Sequence, residues 1–286
     1  MAIIFASIGV HAAPPIMAKA AATAVTVSPR MEDAKTIRLS SGVLVAADIG
    51  HILQRGELVV AMTAIDAPPF FYMDGDKLKG TDVVIAEQIA AELKVKLRID
   101  RSAKSFNEVV ETVASGEADL GISKLSRTLT RAQSVFFTDP YLTLNHALIL
   151  NRLEFAKLYQ DKSPQWVFRN FTGTLGVIAN SSFEGFAARN FPKAKLVTFT
   201  NWDSAIAAVT KGDIVAAYRD EFEIRRILKS DSRLALTLRT VTLKDLHDQL
   251  AIAVGVRSPT LLAFVNQLLS QRTEKLTVES VLAELK

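Results

Sequence analysis

Apolar residues along this chain alternate between short continuous runs and stripes spaced three and four apart, the rhythm of buried strands alternating with amphipathic helices. The run 58–62 is uninterrupted and reads as a strand covered on both faces. A short helix over about 45–54 precedes it, with Arg55-Gly56-Glu57 between the two. Ala67-Pro68-Pro69-Phe70-Phe71-Tyr72 follows as an extended loop stiffened by proline, and Met73-Asp74-Gly75-Asp76 signals a hairpin turn. From Gly80-Thr81-Asp82 a helix opens, apolar at 83, 84, 85, 86, 89, 90 and 93, with Thr81 or Asp82 as its expected cap. A strand at 95–99, a helix at 106–115 and a strand at 118–123 then complete a βαβ rhythm, which calls for a parallel sheet.

The second half echoes the first. Ala114-Ser115-Gly116-Glu117-Ala118-Asp119 closes one helix and starts one strand; Val209-Thr210-Lys211-Gly212-Asp213 and the apolar run 214–218 repeat that order. A strand at 174–179 and helices at 183–190, 221–228, 259–271 and 278–285 fill out the pattern. Two α/β lobes facing across a cleft are expected, with crossings near 143–151 and 249–254 forming a two-segment hinge. The expected division is 1–42 leader and linker, 43–146 first part of lobe one, 147–250 lobe two, and 251–286 the return to lobe one.

Composition narrows the class. The chain has 286 residues, 49% hydrophobic and 22% charged, enough for two lobes with their own cores. Its net charge of +4 comes from scattered Lys and Arg, so no nucleic-acid track is expected. No cysteine is present, which excludes disulfides, thiolate metal sites and thiol nucleophiles. The four histidines, at 11, 51, 146 and 247, lack metal spacing, and no cofactor is expected. The apolar run 2–10 precedes small-residue sites at Val10-His11-Ala12 and Ala18-Lys19-Ala20. This reads as an export leader, although no Lys or Arg precedes the run. A periplasmic or extracellular location is the expectation.

Candidate chemistry concentrates in 116–142. Its strand leads into a loop offering Ser123, Ser126, Thr128 and Arg131. In an open α/β sheet, ligands sit outside the carboxyl ends of the strands. Hydroxyls followed by an arginine fork suit a carboxylate there. The order Asp119, Ser126, Thr128, Arg131, Phe137, Pro140, Tyr141 resembles the bacterial extracellular solute-binding proteins of family 3, the amino-acid-binding proteins of ABC-type uptake systems.

The resemblance implies an α/β, two-lobed periplasmic-binding-protein-like fold of type II, with two parallel-based sheets joined by a two-strand hinge. It implies a monomer that captures a free amino acid, acidic or polar, and passes it to a membrane permease. By the same resemblance Arg131 and Ser126 take the ligand's carboxylate, Asp220 its ammonium, Ser181 and Ser182 a polar group at a helix start, and Phe106 its side chain. Phe71 or Tyr72 would replace the aromatic that relatives carry where Ala67 stands. Lys124 occupies a position where relatives keep a small, polar or proline residue. Turned into the cleft it would favour a second anionic group on the ligand; turned outward it would say nothing.

The residues alone leave other readings open. Arg131 suits an exposed helix start, Asp220 a cap for the helix at 221, Ser181 and Ser182 a plain cap, Phe106 a core position, and Glu221 a surface one. A dehydratase of cyclohexadienyl compounds on the same fold would need a general acid, for which Glu184, Asp66 and Lys124 are the nominees. No nucleophile elbow, metal motif or phosphate loop supports an enzyme. A ligand-sensing domain is the third reading.

Overall fold

The computed structural model describes residues 36–159, 162 and 164–284, so residues 1–35 of the expected leader and linker over 1–42 lie outside the described residues. Strands β1 (Thr36–Arg38) and β2 (Leu44–Ala46) form an antiparallel hairpin where a linker was expected. Then come α1 (Ala47–Arg55), β3 (Glu57–Thr63), the hairpin β4 (Tyr72–Asp74) and β5 (Lys77–Lys79), α2 (Thr81–Leu93), β6 (Lys96–Ala103), α3 (Phe106–Ser115), β7 (Leu120–Gly121) and β8 (Val135–Phe137). The chain continues through β9 (Leu142–Asn151), α4 (Arg152–Tyr159), α5 (Pro164–Arg169), β10 (Thr174–Ile178), α6 (Ser182–Asn190), β11 (Lys195–Phe199), α7 (Trp202–Lys211) and β12 (Ala216–Asp220). It ends with α8 (Glu221–Ser230), α9 (Leu234–Thr237), β13 (Leu238–Leu250), β14 (Ala253–Gly255), α10 (Pro259–Gln271) and α11 (Val278–Ala283).

Two five-stranded sheets result, ordered β6-β3-β7-β14-β8 and β11-β10-β12-β9-β13. In the first, β3 runs parallel to β6 and β7, and β14 is antiparallel to β7 and β8. In the second, β10 is parallel to β11 and β12, while β9 is antiparallel to β12 and β13. Both sheets are therefore mixed, three parallel strands on one side adjoining an antiparallel strand. The chain passes from first to second after β8 and returns after β13 through the buried pair Ala251 and Ile252.

Local chemistry sets the element ends. Ser105 caps α3 by accepting from the Glu108 amide at 3.2 Å, and Asn201 caps α7 by accepting from the Ser204 amide at 2.9 Å. Both helices stop at a left-handed glycine, Gly116 and Gly212, where the absence of a Cβ removes the penalty. The two units that echo each other in sequence are thus built alike. Helix α2 departs from expectation: Gly80 is its N-cap and no side chain caps it. Asp82 is instead buried and turned inward. At Gly80 the backbone has φ +124, and a Cβ would lie 2.3 Å from the Phe70 carbonyl oxygen and 2.4 Å from that of Pro69.

The first core joins Leu58, Val60, Met62, Ile85, Ile89, Leu120 and Ile122, and it also takes in Phe222 from α8. The second sheet is covered on both faces, Leu148, Leu150 and Tyr218 on one and Ala147, Ile149 and Ala217 on the other. Asp48 on α1 accepts the Thr260 and Leu261 amides at 2.8 and 3.1 Å, placing an anion at the start of α10, where the helix dipole favours it. Among the described residues no helix is long and apolar enough to cross a membrane.

Gly80→Ala should destabilise the fold by about 3 kcal/mol or more, because conformation and backbone crowding both oppose a side chain. Gly75→Ala should cost about 1 kcal/mol, since Gly75 has φ +61 but open space around its Cβ position. Urea denaturation of the two variants checks this; equal losses would show that backbone crowding at Gly80 is relieved by movement.

Candidate functional site

Loops at the carboxyl ends of β7, β10 and β12 converge between the sheets. Lys124 lies on the first of these with φ +49, an uncommon conformation for a residue with a Cβ. Its amide donates to Asp82 Oδ2 at 2.6 Å, which fixes the backbone. The side chain then crosses to the second lobe, where Nζ donates to Asp220 Oδ2 at 3.1 Å and Glu223 Oε1 at 2.7 Å. The Phe70 and Phe222 rings flank it at 4.9 and 5.1 Å. With 3% of its side chain exposed, Lys124 enters the cleft, but two carboxylates already match its charge. The expected preference for a ligand with a second anionic group therefore has no free cation behind it.

Asp220 serves two partners with separate oxygens: Oδ2 meets Lys124, and Oδ1 caps α8 by accepting from the Glu223 amide at 3.0 Å. Glu223 also accepts from Arg226 Nε at 2.9 Å, and Arg219 stands 3.9 Å away while lying over the Trp202 ring. Burial alone would raise the Glu223 carboxyl, but Lys124, Arg219 and Arg226 hold it well below the usual carboxylate range. Glu221, expected at the surface, is buried and accepts from the Asn145 backbone and side-chain amides at 2.9 and 2.7 Å.

Arg131 opens a 3-10 turn, not an α-helix, and is 6% exposed. Its Nη1 donates to the Ser126 carbonyl at 3.1 Å, and Nε and Nη2 both donate to Asn107 Oδ1 at 3.1 Å. Among the described residues no ion pair within 4.0 Å forms on it. Burial lowers its guanidinium to about 10, with Asp248 opposing from farther off.

Ser126 and Ser182 meet across the cleft, Oγ to Oγ at 2.8 Å, and Ser126 Oγ also donates to Asp248 Oδ2 at 3.0 Å. Burial, then the nearby Asp220 charge, push the Asp248 carboxyl up to about 7 against the pull of Ser126, Lys124 and Arg131. Asp248 Oδ1 is buried without a hydrogen-bond partner. Ser181 lines the same cavity, but its hydroxyl donates back to the Ile178 carbonyl at 2.7 Å. The preceding Asn180 has φ +58, a left-handed turn that asparagine tolerates better than most residues.

Lys124, Ser126, Arg131, Ser181, Ser182, Asp220 and Phe106 thus border one cavity, with Tyr218 and Asp248 beside them. It offers about 20 Å³ to the centre of a water-sized sphere, room for roughly one water molecule. A second cavity of about 190 Å³ shares Phe106, Ile178 and Arg219 with it and extends to Asp66, Trp202, Asp203 and Arg226. Phe71 lines neither: it is fully buried in the first core, because the proline-stiffened loop turns both phenylalanines inward. Tyr72 belongs to β4 and also lines neither cavity. Of the three dehydratase nominees, Glu184 accepts from the Asn180 amide, Asp66 accepts from Arg101 and the Met73 amide at the border of the second cavity, and Lys124 lies in the first. Among the described residues no cluster of metal-ligating side chains occurs.

Members of this site that escaped the sequence reading include Asp82, Asn107, Tyr218, Glu223 and Asp248. Glu223 had a local signal, standing in the first turn after a capping aspartate. The others act on partners remote in sequence and had none.

A model of the bacterial extracellular solute-binding proteins, family 3, matches residues 58–281. The chain belongs to this family. A curated relative, the arginine-binding extracellular protein ArtP of Bacillus subtilis, is 33% identical over 87 residues, 30% of this chain and 33% of its own length. The chain therefore matches about a third of that protein. The substrate-binding protein AbpA of an amino-acid ABC transporter of Streptococcus pneumoniae, solved bound to L-arginine, superposes with a TM-score of 0.65 at 26% identity, over 82% of this chain and 98% of that one. An ancestral amino-acid-binding protein, described as a precursor of cyclohexadienyl dehydratase, gives a TM-score of 0.65 at 24% identity, over 83% and 99% of the two chains. These structural likenesses give the architecture its name, the type II periplasmic-binding-protein fold.

The buried Asp248 sets a pH dependence. Its folded-state value of about 7 lies above the ordinary 3.8, so between those pH values the unfolded chain binds fewer protons and stability falls as pH rises. His146 acts in the opposite sense, since burial lowers it from 6.5 to about 4. Asp248→Asn removes the first contribution alone. Relative to the parent, the variant should gain stability between pH 4.5 and 7.5 in urea titrations, and a constant difference would contradict the assignment.

Proposed function

We propose that this family 3 protein captures a free amino acid between its lobes and delivers it to the membrane permease of an uptake system. Arg131 carries the reading. A guanidinium this deeply buried is costly unless an anion matches it, and it stands beside two serines, one on each lobe. A ligand carboxylate would take the guanidinium fork together with Ser126 and Ser182. Asp220 would offer an oxygen to the ammonium, and Phe106 would border the side chain. The adjoining cavity carries both signs of charge, from Asp66 and Asp203 to Arg219 and Arg226, which suits a polar side chain better than an apolar one. The arginine held by AbpA makes a cationic amino acid as natural a candidate as the acidic or polar one expected.

Each nominated catalytic group is already held by the chain, Glu184 by the Asn180 amide, Asp66 by Arg101, and Lys124 by Asp220 and Glu223, which favours capture over turnover. The division 43–146, 147–250 and 251–286 is kept as the proposed domain plan, with an exported monomer as the working form. A thermal-shift screen of the common amino acids tests the proposal. A ligand at 100 times its dissociation constant should add about 2.7 kcal/mol. Arg131→Ala should abolish that shift, and Arg131→Lys should weaken binding more than about tenfold, since an ammonium lacks the fork. A flat screen of the parent protein would sink the reading.

A further inference from the structure

Lys124 leaves the first lobe and ends inside the second. Its ammonium meets two carboxylates, Asp220 at 3.1 Å and Glu223 at 2.7 Å, both at the start of α8. Two aromatic faces, one from each lobe, complete the enclosure at 4.9 and 5.1 Å, and these rings also meet each other edge to face at 5.1 Å. Paired carboxylates with flanking phenyl rings make a seat for a cation, and here the seat is filled by the chain itself. At the Ser126 end of the same cavity stands a carboxylate, that of Asp248.

We propose that Lys124 is a tethered occupant of the cleft's ammonium seat: it clasps the two lobes by itself, and an amino acid has to evict it to bind. Only the eviction half rests on the amino-acid reading above. A tethered group is present at high effective concentration wherever its linker allows it to reach. A free ammonium therefore competes at a disadvantage for Asp220 and Glu223. A ligand shifts a conformational equilibrium only by its differential affinity for the two states. Because the clasp already favours closure, a solute has less to add, and closure is uncoupled from occupancy. Lys124 thereby lowers affinity and tunes which solutes succeed, favouring those whose carboxylate and side-chain contacts outweigh the lost clasp.

The test uses the full chain, unfolded in guanidinium and refolded to strip any carried solute, then measured by small-angle X-ray scattering. The parent should give the same radius of gyration with and without added amino acid. Lys124→Met and, as a second route that keeps the lysine, Glu223→Gln should both expand without solute. A stripped parent as expanded as these variants would overturn the clasp, and so would variants as compact as the parent. Calorimetry with the amino acids that bind the parent addresses eviction: Lys124→Met should bind them at least tenfold more tightly, and equal or weaker binding overturns eviction. A flat amino-acid screen in both proteins would overturn eviction together with the amino-acid reading, while the scattering result would still decide the clasp.

Discussion

A charge taken out of water has to be matched, and the cleft of this protein is arranged around matching the ammonium of Lys124. Asp82 holds the lysine backbone in a left-handed turn and also accepts the Tyr141 hydroxyl at 3.0 Å, so one buried carboxylate ties the start of α2 to the loop after β7 and to the entrance of β9. Burial pushes that carboxyl up to about 7 despite both hydrogen bonds. On the opposite side, the end of β12 and the first turn of α8 supply Asp220, Glu221, Phe222 and Glu223, all buried. Removing one partner of such a buried pair typically costs about 3–5 kcal/mol, a large part of the about 5–15 kcal/mol that holds a domain folded.

Family membership and local geometry contribute different parts of the picture. The match over 58–281 fixes the class of molecule and its two-sheet architecture. The placement of charge within the cleft is read from this chain's own side chains. Arg131 leans on Asn107 and a carbonyl in place of a close carboxylate, whereas the acids of the second lobe are shared among Lys124, Arg219 and Arg226. The two halves of the site are therefore unequal, one with a guanidinium held only by neutral acceptors and one with its cations in ion pairs.

Much of the fold was legible because its signals are local. Helices α3 and α7 carry their caps and glycine stops within a few residues, and the βα rhythm follows from apolar spacing. The grouping of Arg131, Ser126, Ser182 and Asp220 around one cavity was expected from the family pattern, whereas Lys124 was expected only as a departure from it, with its direction left open. What escaped depends on distant partners. Asp82 looked like a helix cap because its real partners lie at 124 and 141. Asp248 was silent because a backbone bridge between Ser126 and Leu250, remote in sequence, brings it near Ser126. Phe71 looked like a ligand contact because a loop of consecutive aromatics does not declare which face the core will take.

The position of β14 between β7 and β8 dictates an order of assembly. The second sheet draws all its strands from one continuous stretch, 142–250, and can form as soon as that stretch exists. The first sheet cannot: Phe136 finds its partner in Val254, beyond the whole of the second lobe. Closing so long a loop slows the search for native contacts. During synthesis the first lobe to begin is thus the last to finish, and until the final segment emerges its apolar strand edges remain open to chaperones and proteases.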